Sequence, residues 1–293
     1  MGSKKKDFSL KTAYNITKIE YIKWLFNPRL TIIIMMFIFI KDSAIDPLIE
    51  HANKMNKPIN IIEPFIAIGN SKMMLLLIPA IFITLISDFP KTDGNTIFVI
   101  SRSGRKNWFI GQIFFNIFSI FTYIFIVFIG CVLLSFKKGK VSNSWSEVIT
   151  KYNKNFPEDS HSFASELIDG RLYNQMTPLN ALVNTMLLIG LYLFVLSLIL
   201  LLFYLMDKKF IGILINIIIM AIGTALTFIE LDIMWITPLA NSIIWLHYTE
   251  FYSEYIVPVV QSYIYFFLLI VFLISISIHF LKKYNFINIS EVD

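Results

Sequence analysis

This chain of 293 residues is poor in charge. Only 15% of its residues are Asp, Glu, Lys or Arg, against about 25% in an average soluble domain. The interiors of its six longest apolar stretches hold none of the four. No ionisable relay therefore stands at mid-span, where proton- or sodium-coupled carriers usually place one. Histidine is sparse: His51, His161, His247 and His279 are scattered, with no HExxH and no Cys/His cluster to suggest a metal. The single cysteine, Cys131, lies in an apolar run, so no disulfide can form within the chain. No GxxxxGK[ST] loop is present, which excludes ATP binding in the usual phosphate-loop manner. The start, MGSKKKDFSL, has no apolar region directly after its lysines and does not read as a cleavable signal peptide. Lys6 occupies the Ser/Thr position that myristoylation at Gly2 requires.

What is abundant is apolar surface. Hydrophobic residues make up 56% of the chain, with 28 phenylalanines, and they fall in blocks of roughly 17–25 residues, the length of a spanning helix. The expected fold is an all-α membrane protein, a single transmembrane domain over 1–293. Its six spans are placed at 28–45, 71–88, 108–136, 179–206, 210–229 and 259–281. Asn27-Pro28 supplies a cap and a first-turn proline for the first. Arg29 and Lys41 would snorkel from it to opposite interfaces. Only Asp207-Lys208-Lys209 separates the fourth and fifth spans, so those two should form a tight antiparallel hairpin. Polar residues within the spans are neutral: Asn116, Thr122, Asn180, Asn184, Asn216 and Gln261.

Loop charge sets the orientation. With both termini cytoplasmic, the inner segments carry fifteen bases against seven acids, as the positive-inside rule demands. The net charge of +5 is therefore read as orientation charge, and no nucleic-acid partner is expected. The outer stretches are 46–70, 137–178 and 230–258. The middle one mixes aromatics with charge and is expected to be an extracellular loop or a small helical cap. Glu230 and Asp232 form a close carboxylate pair at the mouth of the fifth span, most simply a solvated helix end.

The inner segment 88–112, DFPKTDGNTIFVISRSGRKNWFIGQ, is more than a tether. Pro90 ends the second span. Asp93 can cap a short helix beginning near Asn95, where an acid also suits the positive helix end. Thr96–Ile100 is an apolar patch, Ser103-Gly104 breaks it, and Lys106 and Trp108 enter the next span.

This pattern resembles the loop after the second span in the type-two family of ABC exporter permeases. The matching residues are Asp93, Gly94, Thr96, Phe98, Arg102, Arg105 and Gly111; Asn95 interrupts the Gly–Thr pair, and Gln112 stands where the family usually has Lys. The resemblance implies that 93–104 is a coupling helix seated in a separate ATPase subunit, which would hold ATP and Mg; this chain would carry no cofactor, metal or catalytic residue. It also implies an interfacial elbow helix at 8–27, where Leu10, Tyr14, Tyr21, Trp24 and Leu25 share one stripe. Half-inserted outer helices are implied at 233–258, IMWITPLANSIIWLHYTEFYSEYIVP, with Trp235, Pro238, Trp245 and Tyr248 as an outer gate. The family works as a pair of permeases, so a homodimer or a related second permease is expected. The first and fifth spans would meet there, close to Gly212. The implied function is a permease subunit exporting an amphipathic or hydrophobic cargo, a peptide before a lipid, across the cell membrane. A secondary transporter or channel, a membrane-embedded enzyme and a sensor partner without ATPase coupling stay open as alternatives.

Overall fold

The computed structural model describes residues 8–91, 94–159 and 167–284, with the backbone alone for 94–97. The described chain is helical apart from one parallel pair of two-residue strands, β1 (Ile59–Asn60) and β2 (Gly139–Lys140). In chain order the helices are α1 Leu10–Leu25, α2 Ile32–Ile40, α3 Asp46–Met55, α4 Glu63–Gly69, α5 Met74–Leu85, α6 Gly94–Ser103, α7 Arg105–Ser135, α8 Glu147–Asn155, α9 Gly170–Tyr173, α10 Pro178–Leu205, α11 Lys209–Ile229, α12 Pro238–Ser242 and α13 Val259–Lys283.

Four of them, α7, α10, α11 and α13, are long and apolar enough to cross a membrane. The α4–α5 pair, bent by 85°, is a fifth candidate. By length and composition the protein is thus a multi-pass membrane protein. The four long helices match the expected spans 108–136, 179–206, 210–229 and 259–281 to within three residues at each end. Unbroken apolar sequence forces that agreement, because a spanning segment must satisfy its backbone internally.

The two other expected spans take different forms. Residues 71–88 hold α5, only twelve residues long, or about 18 Å at 1.5 Å per residue. It meets α4 across the break at 70–73. Residues 28–45 are helical throughout but not one α-helix. A 3-10 turn at Pro28–Thr31 leads into the nine residues of α2, and a π turn at Lys41–Ile45 follows before α3. Asn27 caps the first turn by accepting from the Arg29 amide at 3.0 Å, as its sequence position promised. Neither Arg29 nor Lys41 is left to solvent alone. Arg29 pairs with Asp88 at 3.0 Å and Lys41 with Asp46.

α10 is the central helix, packed against α4, α7, α11 and α13. Leu188, Tyr192, Leu193, Leu196 and Leu201 are fully buried on it, as befits a helix apolar all round. The outer faces of α7, α11 and α13 expose Phe121, Phe125, Ile217, Phe267 and Phe272, surface that lipid would cover.

The helix ends gather at two poles. At one, Arg29 meets Asp88, Arg105 donates to the Lys282 carbonyl at 3.0 Å, and the Trp108 and Tyr204 rings lie 6.1 Å apart. At the other, Lys72 pairs with Glu230, and Asn70 donates to the Thr185 hydroxyl at 3.0 Å. Beyond this second pole, α3, the two strands and α8 form a small cap. Buried Glu63 holds it, accepting from the Asn60 amide at 2.9 Å and the Ser146 amide at 2.7 Å.

Candidate functional site

Two segments carried the site residues of the sequence reading, one at each pole. At the Arg105 pole, α6 occupies Gly94–Ser103, nearly the expected 93–104. Asp93 lies outside the described residues. Gly94 and Thr96 fall within α6, where only their backbone is described. Phe98 is 66% exposed, whereas Ile100 is 7% exposed and packs inward. A large aromatic so presented, beside an exposed Arg102, is an uncovered apolar contact on a short polar-flanked helix.

α6 is hinged and anchored. Gly104 joins it to α7 with φ 86°, a left-handed backbone that glycine adopts without strain. Arg105 then donates to the carbonyls of Leu281 and Lys282 at 3.5 and 3.0 Å, which ties the hinge to the end of α13. Asn107 donates to the Ser103 carbonyl at 2.7 Å and accepts the Ser9 amide at 2.8 Å, which ties it to the start of α1. From there α1 runs lengthwise beside α7. Thr17 donates to the Gly111 carbonyl at 2.9 Å, and the Tyr21 and Thr122 hydroxyls are 2.6 Å apart.

α1 has two apolar faces rather than the one stripe expected of an interfacial elbow helix. Ala13, Ile16, Thr17 and Trp24 are buried against the protein, while Leu10 and Tyr14 of the expected stripe are exposed. Ile16, which falls off that stripe, is thus core. The reason is that α7 offers a groove at Gly111, where an added Cβ would stand 3.0 Å from the Ile16 side chain.

At the other pole, residues 237–248 are buried although their backbone is irregular. Such backbone is tolerated at membrane depth where protein covers it. Pro238 opens α12 at its first turn, and Trp245 opens a 3-10 turn. Trp245 donates through Nε1 to the Asn70 carbonyl at 2.8 Å, and the Asn70 side chain accepts the Ile244 amide at 2.9 Å. The α4–α5 break therefore holds the irregular segment 237–248 directly. Asn241 donates to the carbonyls of Trp235 and Thr237 and accepts from Ser262 at 2.7 Å. His247 is fully buried, 3.3 Å from the Ser262 hydroxyl and 2.7 Å from the Val257 carbonyl. The Trp235 ring lies 4.8 Å from that imidazole, and Tyr248 packs on Tyr255 at 5.1 Å.

Trp235, Pro238, Trp245 and Tyr248 therefore belong to one packed unit. The polar residues that organise it, Asn70, Asn241, His247 and Ser262, were not singled out from sequence. Glu230 is more than a solvated helix end, because it bridges Lys72 at 2.8 Å and Arg171 at 3.9 Å. Both cations also stand over Trp245, Lys72 at 5.0 Å and Arg171 at 4.3 Å from the ring centroid. Among the described residues no group of His, Cys, Asp and Glu could hold a metal.

No protein-family model matches the chain, and neither a curated protein nor a solved structure matches it.

Proposed function

We propose that this chain is the permease subunit of an ATP-driven exporter in the cell membrane, with both termini cytoplasmic. A separate ATPase that binds ATP and Mg would supply the energy. The observation that carries the reading is Phe98, exposed on a ten-residue helix whose Val99 and Ile100 pack inward. The hinge at Gly104 and the anchors at Arg105 and Asn107 give a push on α6 a route to α7, α13 and α1 at once. In this reading the run Pro28–Ile45 adds a crossing and the bent α4–α5 pair makes another, for six. The packed outer segment around Trp245 serves as the exit gate. The cargo is amphipathic or hydrophobic, a peptide by preference, a reading supported by the lack of charged residues in the interiors of the long spans. The working unit is a pair of permeases.

The test is to isolate the protein with its ATPase from native membranes and compare Phe98→Ala with Arg102→Ala at matched expression. A buried anchor at an interface hot spot is worth about 2 kcal/mol or more, whereas a rim charge is worth under about 1 kcal/mol. Phe98→Ala should release or uncouple the ATPase, and Arg102→Ala should act mildly. Full ATPase retention and export in Phe98→Ala would reduce α6 to a topological tether.

A further inference from the structure

A cavity of about 220 Å³ lies beside the outer gate. Two backbone irregularities border it. The π turn contributes Ser43 and Ala44, and the α4–α5 break contributes Ala67, Asn70 and Ser71–Met74; Asp169, Phe228 and Trp245 are among the residues that complete its wall. π turns are frequent at functional sites, and irregular backbone inside a membrane belongs where it lines a cavity or is covered by protein. Here both irregularities face one space.

The charges around the cavity cancel. Lys72 pairs with Glu230 at 2.8 Å, Arg171 with Asp169 at 3.0 Å, and Arg171 reaches Glu230 at 3.9 Å. Of these four, Lys72 and Asp169 line the cavity, one charge of each sign. A ligand carrying only a negative charge would meet Asp169 as well as Lys72, and one carrying only a positive charge would meet Lys72 as well as Asp169. Beside low-dielectric surroundings an uncompensated charge is costly, so a partner that engages both Lys72 and Asp169 and preserves the balance brings both signs. The wall also offers the hydroxyls of Ser43 and Ser71 for polar atoms, and Ala44, Ile68, Leu167 and Phe228 for the carbon atoms of such a head. The volume is below the roughly 300–1,000 Å³ of pockets that enclose a whole drug-sized ligand, so only the head of a longer molecule fits.

We propose that this cavity binds the head group of a zwitterionic phospholipid, one with an ammonium and a phosphate. The phosphate is met by Lys72 and the Ser71 hydroxyl. The ammonium is met by Asp169, the one carboxylate in the cavity wall, while Lys72 and Arg171 already stand over the Trp245 ring. The alkyl chains remain outside among the exposed apolar helix faces. The inference deepens the proposed function by naming a lipid at its exit gate. It rests on the membrane placement of that reading and not on the ATPase.

The test uses the full chain in a non-ionic detergent without any ATPase. Native mass spectrometry counts bound lipid, and a variant retaining Trp245 alone of the five tryptophans reports the site by fluorescence. The probes are a short-chain phosphatidylethanolamine, a phosphatidylglycerol of the same chain length, and phosphoethanolamine without tails. The zwitterionic lipid should bind saturably and shift the Trp245 emission, with the other two weaker. Lys72→Gln and Asp169→Asn should each weaken it about ten-fold or more, the loss expected for a charged hydrogen bond. Ala44→Leu keeps every charge and fills the cavity; it should do the same, and it decides the matter if a charge variant fails to fold. Equal binding of both lipids, unchanged by Ala44→Leu, would mean annular lipid only and overturn the proposal. Preference for tail-less phosphoethanolamine would overturn the lipid assignment. None of these outcomes bears on the Phe98 test, which reads the ATPase alone.

Discussion

The indole N–H of Trp245 donates to the backbone carbonyl of Asn70 at 2.8 Å, across 175 positions of sequence. The Asn70 side chain returns the contact by accepting the Ile244 amide at 2.9 Å. The two bonds join the α4–α5 break to the irregular segment before α13. A movement of either element must carry the other or break both bonds.

Substitutions at this pair should separate packing from hydrogen bonding. Trp245→Phe keeps much of the packing and loses one bond, for about 1 kcal/mol. Asn70→Leu leaves the buried Ile244 amide without its acceptor and should cost about 1–3 kcal/mol. Trp245→Ala removes the ring and should cost about 3–5 kcal/mol. Thermal unfolding in detergent should rank the variants in that order. A gate role further requires Trp245→Phe to alter export or basal ATPase activity at normal abundance.

Gly111 is the close-contact point between α1 and α7. A Cβ there would stand 3.0 Å from the Ile16 side chain and 3.1 Å from the Ala13 carbonyl, which is backbone and cannot step aside. Gly111→Val should therefore lift α1 from its groove, with an overpacking cost of about 1–3 kcal/mol. Trypsin should then cut at Lys11 and Lys18 under conditions where the parent resists. An unchanged digestion pattern would show that α7 yields instead.

Opposite sides of the membrane are proposed for α6 and α8. Ser101 on α6 and Asn155 at the end of α8 are both exposed, and Cys131 is buried. In intact cells an impermeant thiol reagent should label Asn155→Cys and spare Ser101→Cys. The reverse pattern would invert the orientation.

His51 should give the small cap an acid-sensitive component of stability. His51 stacks on Tyr152 at 3.6 Å, and burial holds its pKa below 6.5, helped by Lys54 and opposed by Asp159 and Glu50. A lowered folded pKa means that the unfolded cap binds the proton more readily. The His51 contribution is complete above pH 6.5 and is lost as the pH falls from there toward its folded value. Asp159, held below 3.8 by its bonds to Lys54 and Tyr152, adds loss of the same sign at lower pH. As the pH falls below about 6.5, hydrogen exchange in α3 and α8 should speed up more in the parent than in His51→Gln, after correction for intrinsic rates; equal pH dependence in the two would remove His51 from this role.

The proposed pairing of two copies should use faces that this chain leaves open. Gly212 is not on such a face, because its Cβ would stand 2.7 Å from the Phe203 Cβ, so the close approach lies inside the α10–α11 hairpin. Ile38 on α2 and Ile218 on α11 are exposed. Cysteines at those two positions should cross-link into dimers in native membranes, while a cysteine at Gly212 should not. Recovery of monomers alone with the ATPase present would count against a paired assembly.

Long apolar runs made α7, α10, α11 and α13 legible from the chain itself, since lipid leaves a twenty-residue apolar segment few alternatives to a helix. The hinge at Gly104 and the short helix before it were legible too, from local residue chemistry at 94–104. Other features depended on partners far away in sequence. The 85° bend at 70–73 follows contacts of Asn70 with Thr185, Ile244 and Trp245. Ile16 rather than Leu10 faces inward because α7 offers room at Gly111. Glu230 became a bridge only when folding brought Lys72 and Arg171 to it. Hydrophobicity is a property of a segment and can be read locally. The direction of a side chain and the partner of a charge belong to the packed bundle, and only its tertiary structure decides them.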